Sequence, residues 1–571
     1  MKTLPMLKEK ARFFADEFYV FDVETTGLRA KSDAFVFGVI YGHNFVKVLY
    51  SVEDFKKEFL NERYKKRKVF AHNAEFDLSV IYDNIFIMDN KAIFNGKFIC
   101  ATNGNCLFAD SLNIFETSVK VLGKMVGLEK FETPNKFKTG IINEVTQDDI
   151  KYCTRDCEIV FEALAEIFEM VGNIKITIAG LSLDLFRRKY QTFHIDYNDE
   201  LGRYFFSSYY GGRCEAFYIG RCNASVYDIN SMYPYAMVAC QFPNPKFLKK
   251  ISFCHPKIFI QKYLKLYEGC AYFKIKHKDH YFGFLPYRFE GKLLFPIGTF
   301  SGWYNFNEIR FCLENDVIEI LEVKDIIYAP PLTSPFATYA TDLYKKRFET
   351  GNEFHAYLYK KFGNSLYGKF AQKIDSEFIY IKDMEKDYAI IKEFQDKKQI
   401  IKIQLFNEKR NDCFIQIIKS GNKYMYNTIP LFSSYITSFS RVQLMGLLLK
   451  YRNFDPLYCD TDSIFFERDP KIKSSKLLGQ FKKEEKSVIE ISGLKNYSYI
   501  YEGKINKKIK GIPKNAKFKK GSYNYNAMVR TKEGIRQNKE IGVWTKRKKT
   551  ITGKYDKRIV KRNGYTEPIK F

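Results

Sequence analysis

Residues Tyr458 to Ser463 read YCDTDS, two aspartates alternating with threonine after the apolar approach FDPLYC. On an extended strand or a hairpin tip, residues i and i+2 point the same way, so Asp460 and Asp462 would face one site. Like charges held that close repel unless a cation lies between them, and hard oxygen ligands around phosphates suit Mg²⁺. The pattern points to a two-metal site for phosphoryl transfer, against the plainer reading of a polar turn.

A second group of acids lies near the N-terminus. Asp22 and Glu24, in FDVETTG, share one face of an expected strand whose flank FYVFDV is apolar. Paired carboxylates buried there are costly without a cation or a proton. HNAEFD adds Asn73 and Asp77 beside the apolar run KVFA, and YCTRDCE adds Tyr152 and Asp156, i and i+4 on one helix face. Four acids and a tyrosine suffice to bind two metals and orient a hydroxide for in-line attack on a phosphodiester. Cys153 and Cys157, one helical turn apart, read as helix packing rather than metal binding.

A third group lies between these two. YDINSMYP supplies Asp228 and Tyr233, and KKFGNSLYGKF places Lys360, Asn364 and Tyr367 at i, i+4 and i+7 on one face of an expected helix. Core packing would explain that face, yet lysine and asparagine are poor core residues. A cation and an amide there suit a triphosphate and its base pair, and Arg347 in LYKKRFE adds a second phosphate-binding cation.

The elements that must position these groups are partly legible. From 17 to 50, strand-like runs (EFYVFDV, AFVFGVIY, FVKVLYS) alternate with glycine-containing turns. EDFKKEFLNERYKK reads as an amphipathic helix followed by the strand KVFAHN. A long helix from Asp148 to Gly172 closes this first unit, with a boundary near Gly180. A mixed region to about Lys250 precedes a lysine-rich aromatic stretch to about Thr341. A helical pair follows, and then a strand-rich, lysine-rich stretch from Gln372 to Asn427.

With 571 residues the chain is too long for one core, and two to four domains are expected. Hydrophobic residues at 46% exclude a disordered protein. Of the net charge of +27, +21 falls between Lys471 and Phe571, where 29 Lys/Arg face 8 Asp/Glu. Tyrosines interleave with those lysines in KNYSYIY and KKGSYNYNAMVR, which implies a folded surface for a polyanion with salt-dependent affinity. Twelve cysteines without a CxxC pair suggest a reducing compartment. No apolar run reaches membrane-spanning length and the first residues lack a signal-peptide core, so a soluble, intracellular protein without a membrane partner is expected.

In order, FDVETTG, HNAEFD and YCTRDCE resemble the three motifs of the DEDD 3′–5′ proofreading exonucleases, in the subtype that uses a tyrosine. YDINSMYP, KKFGNSLYGKF and YCDTDS resemble motifs A, B and C of family B DNA polymerases, with SMYP where SLYP is usual. YYGGR (Tyr209, Gly211, Gly212), TSFSR (Thr437, Arg441) and KNY (Lys495, Tyr497) resemble the link and primer-strand contacts of the protein-primed branch, the type of small Bacillus phage replicases and linear plasmids.

The resemblance implies a mixed α/β multidomain fold, with a ribonuclease H-like exonuclease domain (1–180) followed by a right-hand polymerase (181–571). The palm would occupy 190–250 and 429–485, a first insertion 251–340, the fingers 341–371, a second insertion 372–428 and the thumb 486–571. It implies Asp22, Glu24, Asp77 and Asp156 as metal ligands, with Tyr152 orienting water. Thr25, His72, Asn73, Phe76, Ser111 and Leu112 would touch the single-stranded primer end. Lys130, Lys136 and Lys138 compete for the role of a catalytic lysine. Asp228 and Asp462 would be the main polymerase ligands, Asp460 an accessory carboxylate, Lys360 a triphosphate contact and Tyr367 part of the nascent-pair pocket. Tyr233 would exclude a ribose 2′-hydroxyl. Mg²⁺, with Mn²⁺ able to substitute, template and primer DNA, dNTPs and a priming terminal protein are the implied cofactors and partners. Viral or plasmid replication with strand displacement in a host cytoplasm is the implied setting.

Overall fold

The computed structural model describes residues 1–9, 17–94, 96–372, 376–406, 410–418, 425–513, 515–519, 521–551 and 555–571. Alternation along the strand Phe18–Thr25 organises the first unit. Phe18 and Val20 enter one core while Tyr19, Phe21 and Val23 enter another, so both faces of the sheet are covered. Each such buried side chain contributes about 1.5–3 kcal/mol relative to exposure. Parity also puts Asp22 and Glu24 on the Phe18/Val20 side, which faces the helix Gln147–Val171. The sheet has seven strands in the order Phe45–Leu49, Phe35–Gly42, Phe18–Thr25, Lys68–Ala71, Leu107–Asp110, Lys97–Thr102 and Asp89–Phe94. Only the two pairings made by Lys68–Ala71 are parallel.

The helix Gln147–Val171 starts where Thr146 and Asp149 cap one another and stops at Gly172 in left-handed conformation. Its bounds match the sequence expectation. EDFKKEFLNERYKK does not form one helix: Val52–Glu58 is helical, and the Asn61 side chain then accepts from Arg63 N at 3.0 Å and starts a separate short 3₁₀ turn. Gly180 lies inside the helix Ile178–Leu185, and the core on the Phe18 side continues without interruption to Phe242, Phe336 and Tyr435.

The second large sheet is wholly antiparallel, in the order Cys214–Ala216, Pro456–Asp460, Ser463–Phe466, Gly220–Ile229, Phe481–Gly493, Asn496–Tyr501 and Lys504–Ile509. Leu444, Met445 and Leu448 of the helix Pro430–Lys450 pack on it beside Tyr227, Cys459 and Phe466. The expected palm–thumb limit at 486 falls inside a strand of this sheet. Val488 and Ile491 are buried against Gly220–Ile229, so the sheet carries on to Ile509.

The stretch expected as a first insertion (251–340) contributes most of a four-stranded antiparallel sheet of Lys249–Cys254, Ile318–Ala329, Glu268–His277 and Gly298–Asn305, whose first strand begins ahead of that limit. The helices Ala337–Glu349 and Glu353–Lys369 make the helical pair. The second insertion pairs Ser376–Ile381, Cys413–Ile418 and Ile400–Leu405, with the helix Tyr388–Asp396 between them. It rests on the first unit: Phe414 packs 4.9 Å from Phe86, and Lys91 pairs with Glu377. On its other side Lys532 stands 3.6 Å over the Phe378 ring. Ala30 N donates to Gly542 O at 2.9 Å, so the C-terminal region also touches the first unit directly. Among the described residues, no helix is long and apolar enough to cross a membrane.

Candidate active sites

At the first centre, strand parity and two helices bring four carboxylates together. Asp77 comes from the helix Ala74–Tyr82 and accepts from Val23 N at 3.3 Å, which ties it to the Asp22 strand. Asn73 caps that helix in left-handed conformation, held by Asp110, which accepts from both Asn73 N and Leu112 N at 2.9 Å. Asp110 is a positioning residue that the sequence reading passed over, although it precedes Ser111 in ADSL. Burial, then the Asp156 charge, pushes Asp22 up to about 7. Burial and then Asp22 hold Glu24 and Asp77 well above the carboxylate range. Asp156 is also raised by burial, with Lys130 opposing.

Of the three competing lysines, Lys130 enters this centre. It pairs with Asp156 and donates to Tyr152 Oη at 3.2 Å. Lys136 pairs instead with Asp149, while the Lys138 side chain lies outside the described residues. Thr133 also hydrogen-bonds Tyr152 Oη at 3.1 Å, and burial followed by Asp156 pushes the phenol up to about 12. Tyr152 is therefore neutral at neutral pH and can orient a water but not deprotonate one. Asp156 Oδ1 is buried without a protein partner. Cys153 also joins this centre: its Sγ lies 3.8 Å from Asp22 Oδ2. Helix packing alone, the sequence expectation, does not describe its place.

Several expected primer-end contacts turn inward. Ser111 is fully buried and donates to Ala71 O. His72 uses both ring nitrogens, on Ser111 Oγ at 2.9 Å and Thr117 O at 2.8 Å, and burial lowers it to about 4. The buried Thr25 hydroxyl donates to Gly27 O at 2.7 Å. These three shape the floor, because their polar atoms are already paired within the protein. Asn73, Phe76 and Leu112 keep part of their surface open to solvent.

At the second centre, Asp228 at the end of the strand Gly220–Ile229 meets Asp462 in the turn between Pro456–Asp460 and Ser463–Phe466. Asp228 is in register with Ser463, and Ile229 N donates to Asp462 O at 2.7 Å. Thr461 takes the left-handed conformation (φ 61°) that reverses the chain between Asp460 and Ser463. Burial and then Asp462 push Asp228 up to about 7; burial and then Asp460 push Asp462 up to about 6. Asp460 lines the same cleft, but both its oxygens are gripped by Lys495 Nζ at 2.7 and 2.6 Å. That pairing commits the Lys495 ammonium within the protein. Tyr497 is buried against Phe465, 5.1 Å between ring centres, and only borders the cleft. Lys486 and Lys508 line that cleft too, and no motif drew them out of the basic C-terminal sequence.

The loop Tyr209 to Arg213 braces this turn. Thr461 N donates to Arg213 O at 2.7 Å. A Cβ on Gly212 would stand 2.9 Å from Thr461 and 3.1 Å from Tyr233 Oη, so the approach requires glycine. Two expected primer contacts, Arg441 and Thr437, are buried and paired within the protein here. Arg441 is 3% exposed, donating to Glu308 Oε1 at 2.7 Å and to Tyr210 O and Gly211 O at 2.9 and 3.0 Å. Thr437 is 1% exposed and donates to Ser433 O. Both act within the protein: the helix Pro430–Lys450 is packed on its sides, so these polar groups find partners there.

Across from the aspartates, Arg347 and Lys360 line one cleft together with Ser231. Burial, then Arg347 and Lys361, lowers Lys360 below the ordinary lysine value. Tyr233 and Tyr367 stack with ring centres 4.4 Å apart. Asn364 lies on the same helix as Lys360 and Tyr367, partly open to solvent.

The chain is 27% identical over 547 residues to a probable DNA polymerase of Neurospora intermedia, covering 80% of this chain and 54% of that protein. It thus spans about half the length of that relative. It is 24% identical over 417 residues to the DNA-directed DNA polymerase of Enterobacteria phage PRD1, covering 69% of this chain and 66% of that one. The structure of Phi29 DNA polymerase complexed with primer-template DNA and incoming nucleotide substrates superposes with a TM-score of 0.68 at 16% identity, over 94% of this chain and 100% of that one. The two share a fold. Residues 131–447, which include Asp156, Asp228 and Lys360, match the family model described as DNA polymerase type B, organellar and viral. The chain belongs to that family of type B DNA polymerases.

Proposed function

We propose that this protein is a DNA-directed DNA polymerase with a separate 3′–5′ proofreading exonuclease. The observation that carries the reading is Asp228, raised by burial and Asp462, beside Asp462, raised by burial and Asp460, both within electrostatic reach of Lys360, which shares a cleft with Arg347. Paired raised carboxylates, and the orphaned Asp156 Oδ1 in the first centre, fit divalent metal ions. Asp228 and Asp462 would hold them at one centre and Asp22, Glu24, Asp77 and Asp156 at the other. Bound Mg²⁺, replaceable by Mn²⁺, supplies charge neutralisation and an activated oxygen nucleophile.

The chain's own residues supply the rest. Lys360 and Arg347 meet the triphosphate charge of a dNTP, and the stacked Tyr233 and Tyr367 set the room left beside its sugar. Gly212 lets the bracing loop reach Thr461 and so fixes Asp462. In the first centre Lys130 and Tyr152 hold a water near Asp156, while Asn73, Phe76 and Leu112 offer surface to an unpaired primer end.

Protein priming and strand displacement belong to the same proposal. The two insertions add surface beside the template path, and the second joins the first unit to the C-terminal region through Phe86–Phe414 and Lys532–Phe378. Such a bridge supports a closed grip on DNA. Of the tip around Asn407 to Cys413, whose deletion should reduce strand displacement, residues 407–409 lie outside the described residues.

The test is primer extension with Mg²⁺ and dNTPs, and digestion of the primer when dNTPs are withheld. Asp462→Ala should abolish extension and spare digestion, and Asp77→Ala should do the reverse. Near wild-type extension by Asp462→Ala would end the polymerase assignment of that centre. For priming, the enzyme, its terminal protein, one labelled dNTP and Mg²⁺ should yield a labelled protein–nucleotide adduct. No adduct, with DNA primers still extended, would move the chain to the DNA- or RNA-primed branch.

A further inference from the structure

The first centre contains a donor that the proposed exonuclease reaction does not use. Cys153 follows Tyr152 on the helix Gln147–Val171 and is fully buried. Its thiol points at the strand carrying the acids, with Sγ 3.6 Å from Asp22 O and 3.8 Å from Asp22 Oδ2. Sγ and one carboxylate oxygen each from Asp22 and Glu24 all lie within 4.8 Å of one another. Lys130 pairs with Asp156 Oδ2 on one side of the centre, and Asp156 Oδ1 is left buried without a partner.

The distances suit a small tetrahedral ion. Sulfur at ~2.3 Å and oxygen at ~2.0 Å from one zinc ion stand roughly 3.5 Å apart. The observed Sγ to Oδ2 distance is 3.8 Å. Mg²⁺ takes hard oxygen ligands in octahedral array and gains nothing from a thiol, whereas Zn²⁺ and Co²⁺ bind thiolate strongly.

We propose that Asp22, Glu24 and Cys153 form a binding site for a thiophilic divalent cation inside the exonuclease centre. The inference rests on the exonuclease reading only for its consequence: because Asp22 and Glu24 serve both ions, the thiophilic one competes with Mg²⁺ and halts digestion. Binding breaks the Cys153 S–H bond, forms a sulfur–metal bond and releases the thiol proton to solvent together with any proton the raised Asp22 and Glu24 carboxyls hold, with no change of oxidation state.

The experiment titrates the full-length protein with Co²⁺ alone and records the near-ultraviolet thiolate-to-cobalt band together with the protons released. Wild type should show the band and release at least one proton per ion, one of them lost in Cys153→Ser. Cys153→Ser should lose the band and bind Co²⁺ at least about tenfold more weakly. Cys157→Ser should keep it, because the Cys157 thiol reaches Val39 O and Cys153 but not the carboxylate oxygens that would hold the ion. Glu24→Gln retains the thiol and should keep a band at weakened affinity, so the proposal survives a misfolded serine variant. Absence of the band in wild type, or its persistence in a folded Cys153→Ser protein, overturns the site. Failure of wild type to digest DNA with Mg²⁺ would sink the exonuclease reading and leave the cobalt result standing.

Discussion

Replacing Asp228 by asparagine should stabilise the metal-free protein above pH 7 while abolishing nucleotide addition. Burial and Asp462 raise the Asp228 carboxyl from an ordinary 3.8 to about 7. Between those values the folded carboxyl keeps a proton that the unfolded one has released. Folding therefore loses stability as pH rises from about 4 to 7, and above 7 the penalty is complete. At ~1.36 kcal/mol per pH unit the full difference is ~4 kcal/mol, and the solvent still reaching this half-buried group lowers the expected share to about 2 kcal/mol. The assay is unfolding in EDTA at pH 5 and pH 8, with amide exchange at Tyr227 to Ile229 reporting this sheet. Wild type should be weaker at pH 8 than at pH 5, and Asp228→Asn should reduce that difference. Adding Mg²⁺ at pH 8 should protect wild type and do less for the variant. An Asp228→Asn protein less stable than wild type at pH 8 in EDTA would show that repulsion does not govern this pair, and the cation argument would lose its footing.

Tyr233→Val should raise ribonucleotide incorporation with modest loss of deoxynucleotide use, because the ring stacked on Tyr367 narrows the sugar's space; unchanged selectivity would remove that role. Arg441→Ala should cost ~3–5 kcal/mol in stability, since it leaves Glu308 buried and unpaired. Were Arg441 a primer contact instead, the loss would fall on DNA affinity with the unfolding midpoint intact. Charge reversal at Lys517 and Lys548, which lie on one face of the three-stranded sheet through Asn524, should weaken duplex binding. It should also flatten the slope of log K against log salt by about 0.9 per lost phosphate contact. A wild-type slope would mark this face as merely solvated. Lys519 and Lys520 follow Lys517 in the basic run KFKK, and Lys520 lies outside the described residues.

The local periods of the chain were enough to place its chemistry on elements. Alternation around Asp22 and Glu24, the i, i+4 step from Tyr152 to Asp156 and the 3.6-residue period through Lys360 and Tyr367 depend only on neighbours in sequence. The structure keeps all three. Charge density likewise depends on composition alone, and it singled out the C-terminal hundred residues. The direction in which a polar side chain turns is different, because it depends on which distant groups arrive beside it. Arg441 reads as a cation for DNA until Glu308, Tyr210 and Gly211 surround it. Lys130 and Lys136 are indistinguishable in sequence, and the folding of their loop over the helix assigns one to Asp156 and the other to Asp149. The palm sheet runs past residue 486 because Val488 and Ile491 find a partner strand more than 260 residues earlier in the chain. Cys153 became a donor beside Asp22 only through the packing of a helix on a strand more than 120 residues away. Hydrophobic period is a local property and survives in one dimension; electrostatic partnership is set by through-space distance, which only the folded chain defines.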